Sequence, residues 1–447
     1  MIELDELLGR AERIVGMAKS RGIQQAEAYL EWGEGLSVEV EKGAVATASS
    51  GRSSGGAVRV VQAGKLGFAY FTTDAQAADA LDAALRNTRF ATVPGYSLPP
   101  GTRPSAMPGR WDPAVAHAAA AQAVRLAKDL VAGAREAAPK AVLTGGGVSL
   151  DAGACAIAST EGVACADRAT TAGVSGGLVL EDGTTSISTG ESVSSHRLDV
   201  DAVAVGRKAG ETAMSLLKPQ EVKTPGASDI VLRAEVAAEL VVDWMLSAAT
   251  GDEAMRGKTA WSGRLGTDVA HPGLSLTDNP LAPGALGAAP FDDEGLPVAA
   301  IPIVAEGTLR SYLFDSWDAH RHNVATTHSA VRGGFKTRPS TGTHHVVLSA
   351  KSPVPMDKLI SGVDRGFLVE SVLGAHTANA TTGDFSVTSP NVWRIEHGAV
   401  TGPVRDIAIA GALPGLLAKA DGVSVETKAM MGMRIPAVRL RNVDVSV

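Results

Sequence analysis

Cysteine is nearly absent: the 447 residues hold only Cys155 and Cys165. Two thiols cannot build a disulfide framework. They are expected to be buried free thiols in a reducing cytoplasm, with pairing across a hairpin as the other option. Long apolar runs are missing as well. No window approaches the roughly 20 apolar residues of a membrane-spanning helix, and the opening MIELDELLGRAERIVGMAKS puts acids where a secretory leader needs basic residues. Neither sign of charge gathers into a block. With 41 basic against 48 acidic residues and a net charge of −7, the chain lacks the clustered Lys and Arg that track phosphates, which sets nucleic acid aside. Aromatics are only 4%, while Gly 50 and Pro 22 are a turn-rich allotment. That mixture suits antiparallel sheets with tight connections, packed by small residues under alanine-rich helices. Hydrophobic residues at 45% and charged residues at 20% are ordinary for a folded globular protein, and the length calls for two or three domains.

Leu7, Leu8, Ala11, Ile14, Val15 and Ala18 fall on one helical stripe within residues 3–21, so an amphipathic helix opens the fold. Residues 26–40 and 57–71 then read as antiparallel strands separated by glycine- and serine-rich turns. Helix spacing returns over 74–89. The six prolines of 92–113 make a loop, and a helix is expected over 113–138. Short strands follow from 141 to 195, with a hairpin turn at Asp182-Gly183, and a helix over 199–217. Residues 218–227, with Pro219, Pro225 and Gly226, read as a boundary between an α+β domain at 1–218 and a β-rich domain at 219–447. The second half is expected to hold a helix near 236–249. Its candidate strands are IPIVAEG, SYLFDS, HHVVLSA, GFLVESVLG, NVWRIEHG and AVRLRNVDVSV.

The ten histidines never form His-Glu-x-x-His or His-Glu-x-x-x-His, which excludes a conventional zincin. The remaining metal candidate is His320, His322 and His328, with Asp315 or Asp318; in a strand, the step from His320 to His322 would put both rings on one face. The other reading is a polar loop facing solvent or a partner. His344 and His345 would point to opposite strand faces. Gly257-Lys258-Thr259 has Asp252 where a phosphate loop needs glycine, so a carboxylate would repel the phosphates. Gly-x-Ser-x-Gly occurs at 51–55 and 173–177, but both lead into strands rather than helices and read as hairpin turns, not nucleophile elbows. Asp292, Asp293 and Glu294 in PFDDEG are expected to cap backbone amides. His376, Asn379, Thr382, Asp384 and Ser386 cluster polar groups in a glycine-bearing segment, suited to an extended peptide or to a loop-stabilising network.

The segment 240–266, LVVDWMLSAATGDEAMRGKTAWSGRLG, resembles the active-site segment of the TldD/TldE (PmbA) peptidase family with its metal-binding histidines missing. In catalytic members of that family a helix carries His-Glu-x-x-x-His. Laying the family's Gly-Asp and Gly-Arg-hydrophobic-Gly landmarks on Gly251-Asp252 and Gly263-Arg264-Leu265-Gly266 puts the motif, ungapped, on Val242, Asp243 and Ser247. Valine has no lone pair and serine is a poor ligand, whereas a catalytic zinc needs about three strong donors. The family's further cysteine ligand is also lacking, since no cysteine follows residue 165. GFLVE at 366–370, then Gly374, His376, Asn379, TGDFS at 382–386 and IEHG at 395–398 are similar to the C-terminal signature. PFDDEG at 290–295 and GGAVRV at 55–60 are similar to earlier parts. After TGDFS the chain departs from the usual glycine-rich stretch with Val387-Thr388-Ser389-Pro390-Asn391.

The resemblance implies a two-domain TldD/PmbA-like α+β fold with antiparallel sheets flanked by helices. It implies a TldE-type subunit without catalytic residues or metal of its own, zinc being carried by a TldD-type partner that cuts unstructured peptides such as leader peptides and antitoxins. Peptide contacts would fall on His376, Asn379, Thr382, Asp384 and Ser386. The alternatives are a stand-alone homodimer binding peptides or a small molecule, and an unconventional hydrolase using the His320–His328 or His376–Asp384 groups. Whether the chain is itself an enzyme is left open by the sequence.

Overall fold

The computed structural model describes residues 3–101, 104, 107–183, 185–222, 226–430 and 432–446. Helix α1 (Leu4–Ser20) buries Leu7, Ala11, Ile14, Val15 and Ala18, the stripe that the spacing demands. Three strands follow, β1 (Gln25–Glu41), β2 (Ala44–Gln62) and β3 (Lys65–Phe71), then helix α2 (Ala77–Asn87). The glycine- and serine-rich stretch before residue 57 is not a turn. Strand β2 runs straight through it, paired with β1 from Ala44 to Val61. The turn is Lys42-Gly43, both at positive φ. Small residues carry no β-propensity signal, yet here the long ladder to β1 supplies their backbone partners.

Beyond the proline loop, the helix expected over 113–138 is broken into α3 (Pro113–Ala116) and α4 (Ala120–Ala137). The first piece is a short turn capped by the Asp112 side chain on the Ala114 amide. Strands β4 (Val142–Ser159), β5 (Ala164–Asp182) and β6 (Thr185–Ser195) and helix α5 (Ala202–Ser215) complete this half. The six strands form one antiparallel sheet in the order β3-β2-β1-β4-β5-β6. Because side chains alternate along a strand, even-numbered residues of β1 and β4 face the helices. Ala28 and Leu30 pack with α1; Val38, Val148 and Leu150 pack with α4.

After α5 the chain crosses to β7 (Gly226–Leu232); the domain division expected at 218/219 falls in this connection, whose residues 223–225 lie outside those described. β7 pairs in parallel with Arg365–Leu373, which continues through Asp384–Glu396, Ile407–Ala412 and Met433–Ser446. The last strand pairs back onto β7, closing a ring. Strands Leu274–Asp278, Ile301–Ala305 and Val346–Ala350 extend the same sheet. The fold is α+β with largely antiparallel sheets, and this half is mainly β. SYLFDS is not a strand: Leu313 makes an isolated bridge to Thr250, and the Phe314 amide is taken by the Thr327 hydroxyl. No helix among the described residues is long and apolar enough to cross a membrane.

Candidate functional site

The helical run 234–249 begins with Ala234–Val236, passes through a π-helical stretch at Ala237–Val242 and ends as α-helix Asp243–Ala249. It is apolar almost all round and joins the largest hydrophobic cluster, with Ile230, Val369, Ile409 and Val438 from the strand ring. A helix of this composition must be sheathed. Its exposed positions are Glu239, Asp243 and Ser247, spaced four apart and so on one stripe.

Val242 is 0% exposed and lies in the core. Residues five apart share a face only where the helix is wound as a π turn. Here that winding ends at Val242, so Val242 points inward while Ser247 points out. The three positions on which the ungapped register lays the family's metal motif therefore offer one carboxylate, one hydroxyl and a buried isopropyl group. That set does not fit a catalytic zinc. Both cysteines are far from the helix in sequence and sit on β4 and β5, beside the Pro290–Gly295 turn.

Against the helix lies the segment 374–386. Gly374, at positive φ, starts a short 3-10 turn at Ala375–Thr377. The Asn379 side chain then accepts from the Thr381 and Thr382 amides at 2.8 and 3.1 Å. The Thr382 hydroxyl donates to Asp384 at 2.7 Å. These are local turn bonds, and they shape the loop. Trp244 pins it: its indole N–H donates to the Asn379 carbonyl at 3.3 Å. A Cβ at Gly383 would stand 2.6 Å from Pro414 and 3.0 Å from the Trp244 ring. Loop and helix stripe thus form one polar patch. Burial, then the charge of Asp243, raises the Glu239 carboxyl above its ordinary range, with His376 partly offsetting them. Burial raises Asp243 too. All five expected peptide-contact residues are exposed; Asn379, Thr382 and Asp384 also build the loop, whereas His376 and Ser386 take no part in these turn bonds. Glu239 was not singled out from sequence, although its four-residue step from Asp243 would mark a shared face.

The histidine candidate dissolves. His320 and His322 lie on helix Ser316–His322 rather than a strand, which turns them roughly 200° apart. His320 bonds the Pro94 carbonyl, His322 the Asp252 carboxylate at 2.7 Å, and His328 the Pro297 carbonyl. Among the described residues no three His, Cys, Asp or Glu side chains are grouped to hold a metal. Asp252 is a structural anchor: burial pushes its carboxyl up, but the His322 bond with Arg256 and Arg321 outweighs this and holds it below the usual range.

A second feature was missed. The helix-free face of the N-terminal sheet carries Gly33, Gly35 and Ser37 from β1, Ser49, Gly51 and Ser53 from β2, and Ser149, Asp151 and Gly153 from β4. Thr171, Gly173 and Ser175 from β5 and Ser192 and Ser194 from β6 continue it. Two shallow grooves of about 530 and 260 Å³ lie along it. Both Gly-x-Ser-x-Gly matches are mid-strand parts of this face, not turns. Their spacing is the period of two of a pleated strand. At its edge the Phe335 ring occupies the space over Gly55.

Family models described as PmbA/TldA metallopeptidase domain 1, central domain and C-terminal domain match residues 26–91, 114–217 and 225–447. The chain belongs to the PmbA/TldD metallopeptidase family. It is similar to a metalloprotease of Methanothermobacter thermautotrophicus, 26% identical over 52% of this chain and 50% of that protein. An uncharacterised protein of Methanocaldococcus jannaschii is 24% identical over 87% of this chain and 89% of its own length. The solved structure of TldE from Thermococcus kodakarensis shares the fold at a TM-score of 0.89 and 21% identity, covering 98% of this chain and 100% of that one.

Proposed function

We propose that this chain is a TldE/PmbA-like, non-catalytic subunit that pairs with a TldD-type metallopeptidase and helps it cut unstructured peptides such as leader peptides and small antitoxins. The observation that carries this reading is the burial of Val242: of the three positions laid on the metal motif, only Asp243 and Ser247 are turned outward. A water molecule activated by zinc needs a metal held by about three donors with one open position, and this helix supplies no such set. The zinc would reside in the partner. The fold likeness to TldE from Thermococcus kodakarensis supports the same assignment.

The chain's own contribution is then binding and enclosure. An extended peptide can lie close to a face of Gly, Ser and Thr whatever its own side chains, because no Cβ or only a short hydroxyl stands in the way. The hydroxyls give it donors and acceptors. His376 and Ser386 face outward from the loop that Asn379, Thr382 and Asp384 hold in shape, and they supply further polar contacts. Recognition of this kind tolerates sequence variation.

The test is reconstitution. The purified chain, a TldD-type chain and their mixture are each given an unstructured peptide. Cleavage that rises sharply only in the mixture, with a stable complex on gel filtration, supports the proposal. Failure to associate, together with full activity of the TldD-type chain alone, contradicts it.

A further inference from the structure

The N-terminal sheet docks on the C-terminal half through a dry seam of charged groups. Glu27 of β1, Arg59 of β2, Asp292 and Glu294 of the Pro290–Gly295 turn, and Asp315 before helix Ser316–His322 are each at most 2% exposed. The Arg332 side chain is 1% exposed. Arg59 bonds both Glu27 and Glu294, the latter at 2.6 Å, and Arg332 reaches Glu27 at 2.5 Å. The guanidinium groups are thus taken by Glu27 and Glu294. Among the described residues, Asp292 and Asp315 have backbone donors instead of a cation. Asp292 accepts the Glu294 and Leu296 amides, and Asp315 accepts that of Asp318. Glu294 links the two, taking the Ser316 amide and hydroxyl.

With Asp292 and Asp315 neutral, the charges of Glu27, Glu294, Arg59 and Arg332 cancel. Each proton lost adds an uncompensated buried negative charge, which costs far more than it would in water. We propose that Asp292 and Asp315 are held protonated around the Arg59–Glu294 pair, making the seam a latch that is tight in mildly acidic solution and loosens as pH rises.

Among the described residues, Arg59 faces Asp315 and His344 faces Asp292, but each cation has a partner of its own. Tyr96 and the Cys165 thiol face these carboxyl groups from the N-terminal half. Asp293 and Asp318 add acid from the turn and the helix. His344 is near Asp292, but its own partner is Asp278 at 3.5 Å. Burial, then the charge of Glu294, pushes Asp292 and Asp315 each up to about 7. A carboxyl raised on folding stabilises fully below its unfolded value of about 4, and that stabilisation is lost as pH climbs to the folded value.

Hydrogen exchange of the Leu296 and Ser316 amides in the full chain tests the latch, corrected for intrinsic rates, at about pH 5 and about pH 8. Protection at these amides is expected to fall at least about tenfold at the higher pH, one pKa unit being a factor of ten. Amides inside α4 should change less. In Asp315→Asn, and independently in Asp292→Asn, the fall should shrink. Protection that is equal at both pH values in the unmodified chain overturns the proposal, as does an equal fall in both asparagine variants. A fall shared equally by α4 would mean global loosening and also overturns it.

Discussion

The indole N–H of Trp244 donates to the main-chain carbonyl of Asn379 at 3.3 Å, across 135 positions of sequence. Trp244 follows Asp243 on the helix that carries the polar stripe, and Asn379 organises the loop opposite. This hydrogen bond and the face of the Trp244 ring join the two halves of the candidate site, alongside the core packing of Ala375 and Phe385.

Replacing Trp244 should separate packing from hydrogen bonding. Trp244→Ala leaves a cavity beside Gly383 and Trp261, with an expected cost of about 3–5 kcal/mol in urea unfolding. Trp244→Phe keeps most of the ring and loses the donor, for about 1 kcal/mol beyond its smaller size. In both variants, limited proteolysis should move toward residues 378–383. Unchanged cleavage there would mean the loop is held by its own turn bonds alone.

Arg59 is the residue whose removal should hurt most. Arg59→Met leaves Glu27 and Glu294 short of a cation in a dry site, with an expected loss of about 3–5 kcal/mol. Combining it with Glu294→Gln should cost less than the sum of the two, since the second change removes the charge the first one strands. Strict additivity in denaturant unfolding would show that the two do not act as a pair.

The polar stripe should titrate abnormally. Glu239 and Asp243 are both raised on folding, so their contribution to stability is complete below the unfolded carboxyl values and is lost as pH rises through the folded ones. Glu239→Gln should therefore flatten part of the decline in stability above about pH 4. Carboxyl NMR titration reads the same groups directly, and ordinary values for both would contradict this picture.

The small-residue face can be blocked without disturbing the fold. Nothing lies within 4 Å of a Cβ built on Gly51, so Gly51→Leu should alter stability by only about 0.5 kcal/mol. If peptides cross this face, cleavage by the mixture with a TldD-type chain should fall about tenfold or more, equivalent to roughly 1.4 kcal/mol of lost binding. Full activity with an unchanged melting temperature would remove the face from the peptide path.

What could be read from sequence follows the range of the interactions involved. The stripe of α1, the helix near 236–249 and the strands at 366–373 and 391–396 carry local periodicity, and the structure has them. The β2 segment at 49–56 does not, because Gly and Ser become a strand only through pairing with residues 30–37. His320 and His322 share a strand face only if the segment is a strand; Asp315, capping the Asp318 amide, starts a helix instead. Glu294 gave no sign of Arg59, its partner 235 positions away. The inward turn of Val242 depends on where the π winding stops.

The measurement that bears most directly on the central claim is the metal content of the chain, purified alone and dialysed, alongside its cleavage of casein or another unstructured substrate. The account predicts well below one metal ion per chain and no cleavage, with activity appearing when a TldD-type chain is added. Stoichiometric metal together with cleavage by the single chain would contradict it.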